Sequence, residues 1–161
     1  DQYLPFNEKS KEGFNFIIGK NDRGATIQIE TGPYGEKIFS ALPIVSRILS
    51  DIGHNLIIDE VVLNDTIIKS YINELKNKTI YFVGVFCDLA VMQEREILRH
   101  DRTIGLSNAQ IDIVHKGLRD YDFTVDTTRE LSFEIAKKIL NFIETSSYPK
   151  GFANMLNKMN E

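Results

Sequence analysis

Three runs of apolar, β-branched residues punctuate the chain: Leu56-Ile57-Ile58-Asp59-Glu60, Thr79-Ile80-Tyr81-Phe82-Val83-Gly84-Val85 and Phe123-Thr124-Val125-Asp126. None alternates between apolar and polar positions. Strands covered on both faces of a parallel sheet read this way. Between and around these runs the apolar spacing changes to three and four. Ile38, Ala41, Leu42, Val45, Ile48, Leu49 and Ile52 form one stripe, interrupted by Pro43 and stopped by Gly53. Pro43 marks a kink or a start in that helix. A second helix carries Ile67, Ile68, Tyr71, Ile72 and Leu75, with Asn64 or Asp65 as its cap. A third starts after Asp88. A fourth starts at Ser107 and carries Ile111, Val114 and Leu118. The last carries Leu131, Ile135, Ala136, Ile139, Leu140 and Ile143, with Thr127 and Glu130 at capping-box spacing ahead of it.

Strands separated by helices predict an α/β fold with a parallel sheet flanked by helices. The N-terminal part differs. Residues 14–18 and 25–29 are strand-like and flank Asn21-Asp22-Arg23-Gly24, which predicts a small hairpin or lobe added to the sheet. The polar stretch after Ser147 predicts a loosely attached extension. The expected organisation is a single domain over residues 1–147 and a C-terminal extension over 148–161.

Composition narrows the function classes. The 161 residues are 42% hydrophobic and 26% charged, with a formal net charge of −4, which suits one globular domain and argues against bulk nucleic-acid binding. No apolar run is long enough to predict a membrane span, and no signal peptide is evident, so the cytoplasm is the default expectation. Cys87 is the only cysteine and reads as a buried thiol. The three histidines, His54, His100 and His115, have no metal-ligand spacing, and no serine lies in a G-x-S-x-G elbow.

Three groups of residues can carry chemistry. Asp59 and Glu60 end a strand, where ligands of open α/β sheets bind. Two adjacent acids there suit a hydrated Mg²⁺, and acids also end strands simply because water begins there. Arg95 and Arg99 are four apart on a helix and share a face. Arg102 follows in a polar turn closed by Gly105. Arginines so placed can neutralise phosphates, or form a solvated face paired with Glu94, Glu96 and Asp101. Asp126-Thr127-Thr128 can line a base-binding loop or merely end a strand. A phosphate loop, G-x-x-x-x-G-K-[ST], is absent from these residues. The nearest string, Gly13 to Asn21 with Gly19-Lys20, has one residue too many and an apolar, strand-like interior.

Residues 80–139 resemble the C-terminal half of the chloramphenicol phosphotransferases. The strings that carry the resemblance are Val83-Gly84-Val85-Phe86-Cys87-Asp88, Arg95-Glu96 with Arg99 and Asp101-Arg102, Val114-His115-Lys116-Gly117, and Tyr121 through Thr128. Residues 56–61 resemble that family's strand ending in two aspartates, here Asp59-Glu60. His100 stands where the family has a glycine and Arg129 where it has a histidine. Residues 1–52 match loosely. The resemblance implies a P-loop kinase fold that moves the γ-phosphoryl group of ATP, with Mg²⁺, to a hydroxyl of a small molecule such as chloramphenicol.

It further implies that Arg99 and Arg102 act on phosphates, that Arg95, Thr127 and Thr128 help to hold the nucleotide, and that Asp1 falls where the family has its general base. On this reading the phosphate loop and the first strands precede Asp1, and the chain alone is inactive. A sheet order of 2-3-1-4-5 then leaves residues 56–59 and 80–85 on either side of a vacant slot, about twice the usual ~4.8 Å strand spacing. Unpaired edges on that slot should keep this chain from folding stably in the native arrangement, unless the upstream segment or a partner strand fills it. The alternative is a non-catalytic binding or scaffold protein of the same fold that has lost the loop.

Overall fold

The computed structural model describes residues 11–99, 103–146 and 148–160. They form a mixed α/β structure of two short sheets and six helices. The expected hairpin is present. Strands β1 (Phe14–Asn21) and β2 (Gly24–Thr31) pair antiparallel from Phe14↔Thr31 to Asn21↔Gly24. Asp22 and Arg23 make the turn, and Gly24 adopts φ +118°, a left-handed conformation that glycine takes without strain. Gly19 and Lys20 lie within the β1 ladder opposite Thr26 and Ala25, so this segment is extended strand and not a loop that wraps an anion.

Helix α1 (Pro33–Asp51) starts with proline at its first turn, where no amide partner is lost. It runs on through Pro43, so its start lies ten residues before the proline that the pattern singled out. Helix α2 (Asp65–Leu75) is capped as expected: the Asn64 side chain accepts from Ile67 N at 3.1 Å. Arg47 of α1 bonds Glu74 of α2 at 2.9 Å and Asp51 of its own helix at 3.0 Å, joining the two helices.

Strands β3 (Val83–Phe86) and β4 (Phe123–Asp126) form the second sheet, parallel and in register Val83↔Phe123 to Phe86↔Asp126. Helices α3 (Leu89–Leu98) and α4 (Leu106–Gln110) lie in the crossover. Phe82 O accepts from Asp122 N and Phe86 O from Thr127 N, both at 2.8 Å. Backbone groups alternate along a strand. Those of Val83 and Val85 therefore point to the edge away from β4, where no third strand lies among the described residues.

Several expectations need correction. Residues 56–60 form no strand: residues 54–63 carry no ladder. A run that would be covered on both faces needs neighbours on both edges, and none of the described residues supplies one. Ile57 is 100% exposed. The fourth helix stops at Gln110: residues 111–115 continue as turns, with Val114 O accepting from Arg119 Nε and Gly117 at φ +76° beyond them. The capping box of Thr127 and Glu130 is not formed. Thr127 is consumed at the end of β4, Glu130 pairs with Lys138, and helix α5 (Ser132–Thr145) starts after Leu131 without a side-chain cap.

The tail is not loosely attached. Helix α6 (Gly151–Asn160) packs on α2, and Met155, 0% exposed, joins Ile68 and Ile72 in the core. Phe82, Leu118, Phe152 and Leu156 close around them. Asp122 holds this helix in place: its Oδ1 accepts from Lys150 N (2.6 Å) and Gly151 N (2.8 Å), while Oδ2 accepts from Phe82 N (2.8 Å). One carboxylate thus ties the start of α6 to the residue that leads into β3. No described helix is long and apolar enough to cross a membrane.

Candidate active site

Two parallel strands that end side by side expose the amides and side chains of the residues that follow them. Here those residues are Cys87 and Asp88 after β3, and Thr127 and Thr128 after β4. Arg95, one turn before the end of α3, reaches back over them. Its Nη2 donates to Thr127 O at 2.6 Å, its Nη1 donates to Thr127 Oγ1 at 3.2 Å, and Nη1 lies 3.4 Å from Cys87 Sγ. Asp88 N donates to Thr128 Oγ1 at 2.9 Å. The Asp126 side chain accepts from Thr128 N at 2.8 Å. Hydrogen bonds from the Thr128 side chain and backbone hold the Asp126 carboxyl below its usual range, so it is charged at neutral pH. The result is a polar rim at the C-terminal end of the parallel pair, the end at which open α/β sheets bind ligands.

The structure therefore brings together Arg95, Thr127 and Thr128. Arg99 is exposed just past the end of α3, and its N donates to Arg95 O at 3.1 Å. Asp1 and Arg102 lie outside the described residues.

Asp59 and Glu60 lie apart from the rim in the hydrogen-bond pattern, on the irregular segment against α1. Phe39, Leu42 and Leu49 of α1 and residues 56–61 line a hollow there of about 430 Å³. Asp59 is exposed. Glu60 Oε2 is buried and takes no hydrogen bond. Burial raises the pKa of the Tyr71 hydroxyl well above its ordinary value, and the neighbouring Glu60 adds to the effect. Among the described residues no group of three or more His, Cys, Asp or Glu could hold a metal ion. A hydrated Mg²⁺ needs only one or two carboxylates besides phosphate oxygens. An exposed Asp59 beside a Glu60 oxygen without a partner fits that requirement.

Sequence reasoning missed His115 and Tyr121. The His115 ring stacks on Phe86 with centroids 3.9 Å apart, and Nδ1 lies 2.7 Å from Tyr121 Oη. Burial lowers the pKa of His115, outweighing the Val85 backbone contact that favours its charged form. Tyr121 lies six residues on and Phe86 lies on β3, and only the folded geometry brings the three rings together.

The sequence model of one family, chloramphenicol phosphotransferase-like protein, matches residues 12–144. No curated protein matches.

Proposed function

The chain belongs to the chloramphenicol phosphotransferase-like family, and from that premise we propose that it works as an ATP-dependent O-phosphotransferase on the hydroxyl of a small molecule, chloramphenicol or a related compound. The observation that carries this reading is the rim of Arg95, Thr127 and Thr128 at the ends of the parallel strands. Arg95 and the two threonines hold the nucleotide. Arg99 and Arg102 offset phosphate charge, and Asp1 orients or deprotonates the acceptor hydroxyl, which requires hydrogen-bond reach. Asp59 and Glu60 would hold Mg²⁺, which when bound would supply charge neutralisation to the phosphates. Catalysis in such a site rests on positioning and electrostatics more than on covalent chemistry.

The reading requires a phosphate loop and a further strand beside β3. The open edge of β3 at Val83 and Val85 supports this, as does the unpaired apolar run at residues 56–58, since a further strand would satisfy both. One observation favours a second reading, that of a non-catalytic binding protein: the 161 residues hold no G-x-x-x-x-G-K-[ST] motif.

The test is transfer of labelled γ-phosphate from Mg·ATP by the full-length protein to a panel of hydroxylated compounds that includes chloramphenicol. Transfer to at least one acceptor, reduced in Arg102→Ala, is expected. ATP binding without transfer to any acceptor would favour the binding protein, and neither binding nor transfer would sink the nucleotide reading altogether.

A further inference from the structure

A short helix whose N-cap is glycine has no side chain of its own to satisfy its first amides. Helix α4 is such a case, since its N-cap, Gly105, adopts φ +113°. The missing acceptor comes from α3. Glu96, 8% exposed, accepts from Gly105 N (2.8 Å) and from Ser107 Oγ (3.1 Å) through Oε2, and from Ser107 N (3.0 Å) through Oε1. All three bonds go to residues nine to eleven positions further along the chain. One buried carboxylate therefore fixes the distance between the end of α3, where Arg99 sits, and the start of α4.

The same point is tied to the hairpin. Gly105 O accepts from Ile27 N of β2 at 3.0 Å. A Cβ on Gly105 would lie 3.1 Å from Ala25 O, so the two backbones meet where only glycine fits comfortably. Asn108, also buried, repeats the connection one turn on. Its Nδ2 donates to Ala25 O (2.9 Å), its Oδ1 accepts from Gln93 Nε2 of α3 (2.8 Å), and its backbone O accepts from Asn21 Nδ2 (3.3 Å). Helix α3 is thus joined to the hairpin through two polar hubs, and Arg95 on the same helix reaches the strand ends.

We propose that Glu96 is a positioning residue: it sets where Arg99 stands and couples that position to the β1–β2 hairpin. This role rests on the phosphotransferase reading. A carboxylate can accept all three donors at once. A glutamine of the same size offers one oxygen and turns an NH₂ group toward amides that need acceptors. The hairpin does not touch Glu96 in any of these bonds, so a change at Glu96 reaches Ile27 through Gly105, alongside the separate Asn108 link between the hairpin and Gln93.

The experiment compares full-length wild type, Glu96→Gln and Glu96→Asp. It measures kcat and KM for ATP with the best acceptor from the panel, the fraction of active sites, melting temperature, and hydrogen exchange at Ile27, Gly105 and Ser107. For Glu96→Gln, kcat per active site should fall about 10- to 100-fold, the scale of a misplaced catalytic group. KM for ATP should stay within about twofold, and Ile27 should exchange faster along with Gly105 and Ser107. Glu96→Asp, which keeps the charge, should recover part of kcat.

A Glu96→Gln protein that melts lower but keeps wild-type kcat per active site would overturn the positioning role and leave Glu96 as a structural cap. Unchanged exchange at Ile27 would overturn the coupling to the hairpin. A wild-type protein that transfers no phosphate overturns the functional reading itself, and the positioning role with it. The exchange arm separates that result from a failure of the Glu96 seam.

Discussion

Arg95 and Thr127 meet at 2.6 Å, guanidinium to main-chain carbonyl, and so join the helix that follows one parallel strand to the loop that follows the other. The contact lies at the end of the sheet pair, and it draws Cys87 to the same guanidinium. Truncating Arg95 to alanine should weaken ATP binding about 10- to 150-fold, the range expected for losing a hydrogen-bonded charge worth about 1.5–3 kcal/mol. The effect on stability should be small, because the side chain is exposed. Calorimetric titration of the full-length protein with a non-hydrolysable ATP analogue checks this. An unchanged affinity would remove Arg95 from the nucleotide site.

Gly117 sits at φ +76°, and a Cβ there would lie 2.4 Å from Asp65 Oδ1. That oxygen already accepts from Leu118 N at 2.9 Å. Gly117→Ala combines backbone strain with a collision, and should cost about 1–3 kcal/mol of stability. Urea unfolding of the two proteins measures it. If the midpoint stayed put, the approach of this turn to α2 would have to be looser than the geometry described here.

Arg119, with 4% of its side chain exposed, is a structural staple. It donates to Val62 O (2.8 Å), Leu118 O (2.8 Å) and Val114 O (3.3 Å), and pairs with Asp65 at 3.3 Å. Arg119→Ala should destabilise by about 2–4 kcal/mol, since carbonyls in a partly buried setting lose their donors. Lysine should rescue little, because a single ammonium cannot reproduce the planar fork. Thermal unfolding of the two variants gives the comparison.

His115 makes stability depend on pH. Burial lowers its folded pKa from the ordinary 6.5. The unfolded chain therefore binds a proton at higher pH than the folded one does, and acid favours unfolding. The contribution is complete above about pH 6.5 and declines as pH falls through the folded pKa. Asp126 and Asp51, whose values are also lowered, act in a separate and more acidic window, below the ordinary 3.8. Unfolding free energies measured between pH 5 and pH 8 should rise with pH, and His115→Phe should flatten that slope. A slope as steep in the variant as in wild type would assign the effect to other groups.

Local signals were legible in the sequence; signals that depend on distant neighbours were not. The hairpin was readable because Asn21 to Gly24 is turn chemistry between two strand-like runs, and β4 because Phe123 to Asp126 is short, β-branched and bounded by polar residues. Asn64 announced its cap. Residues 56–60 look like a buried strand by composition, yet a strand exists only as part of a ladder, and composition does not supply the neighbour. The tail was misread as loose although Phe152, Met155, Leu156 and Met159 already recur at three and four. Its polar residues hid a stripe that Asp122 and the α2 core hold in place. At the site, Arg95 with Thr127 and Thr128 emerged from the resemblance. Glu96 and Asn108 did not, because their partners lie up to 87 residues away and a charged residue on a helix reads by default as solvated.

The edge of β3 that no third strand covers among the described residues, approached at the Val85 backbone by His115, also bears on how the protein behaves in a test tube. An uncovered strand edge recognises backbone geometry and not sequence, so any extended chain of similar reach can dock there. The edge at Val83 and Val85 carries no charged gatekeeper and no proline, and Val85 is itself exposed. Unless another strand claims it first, it becomes a nucleation point for self-association. Yield and solubility should then fall with protein concentration rather than with temperature. A soluble peptide able to occupy the edge would act less as a ligand than as a chaperone.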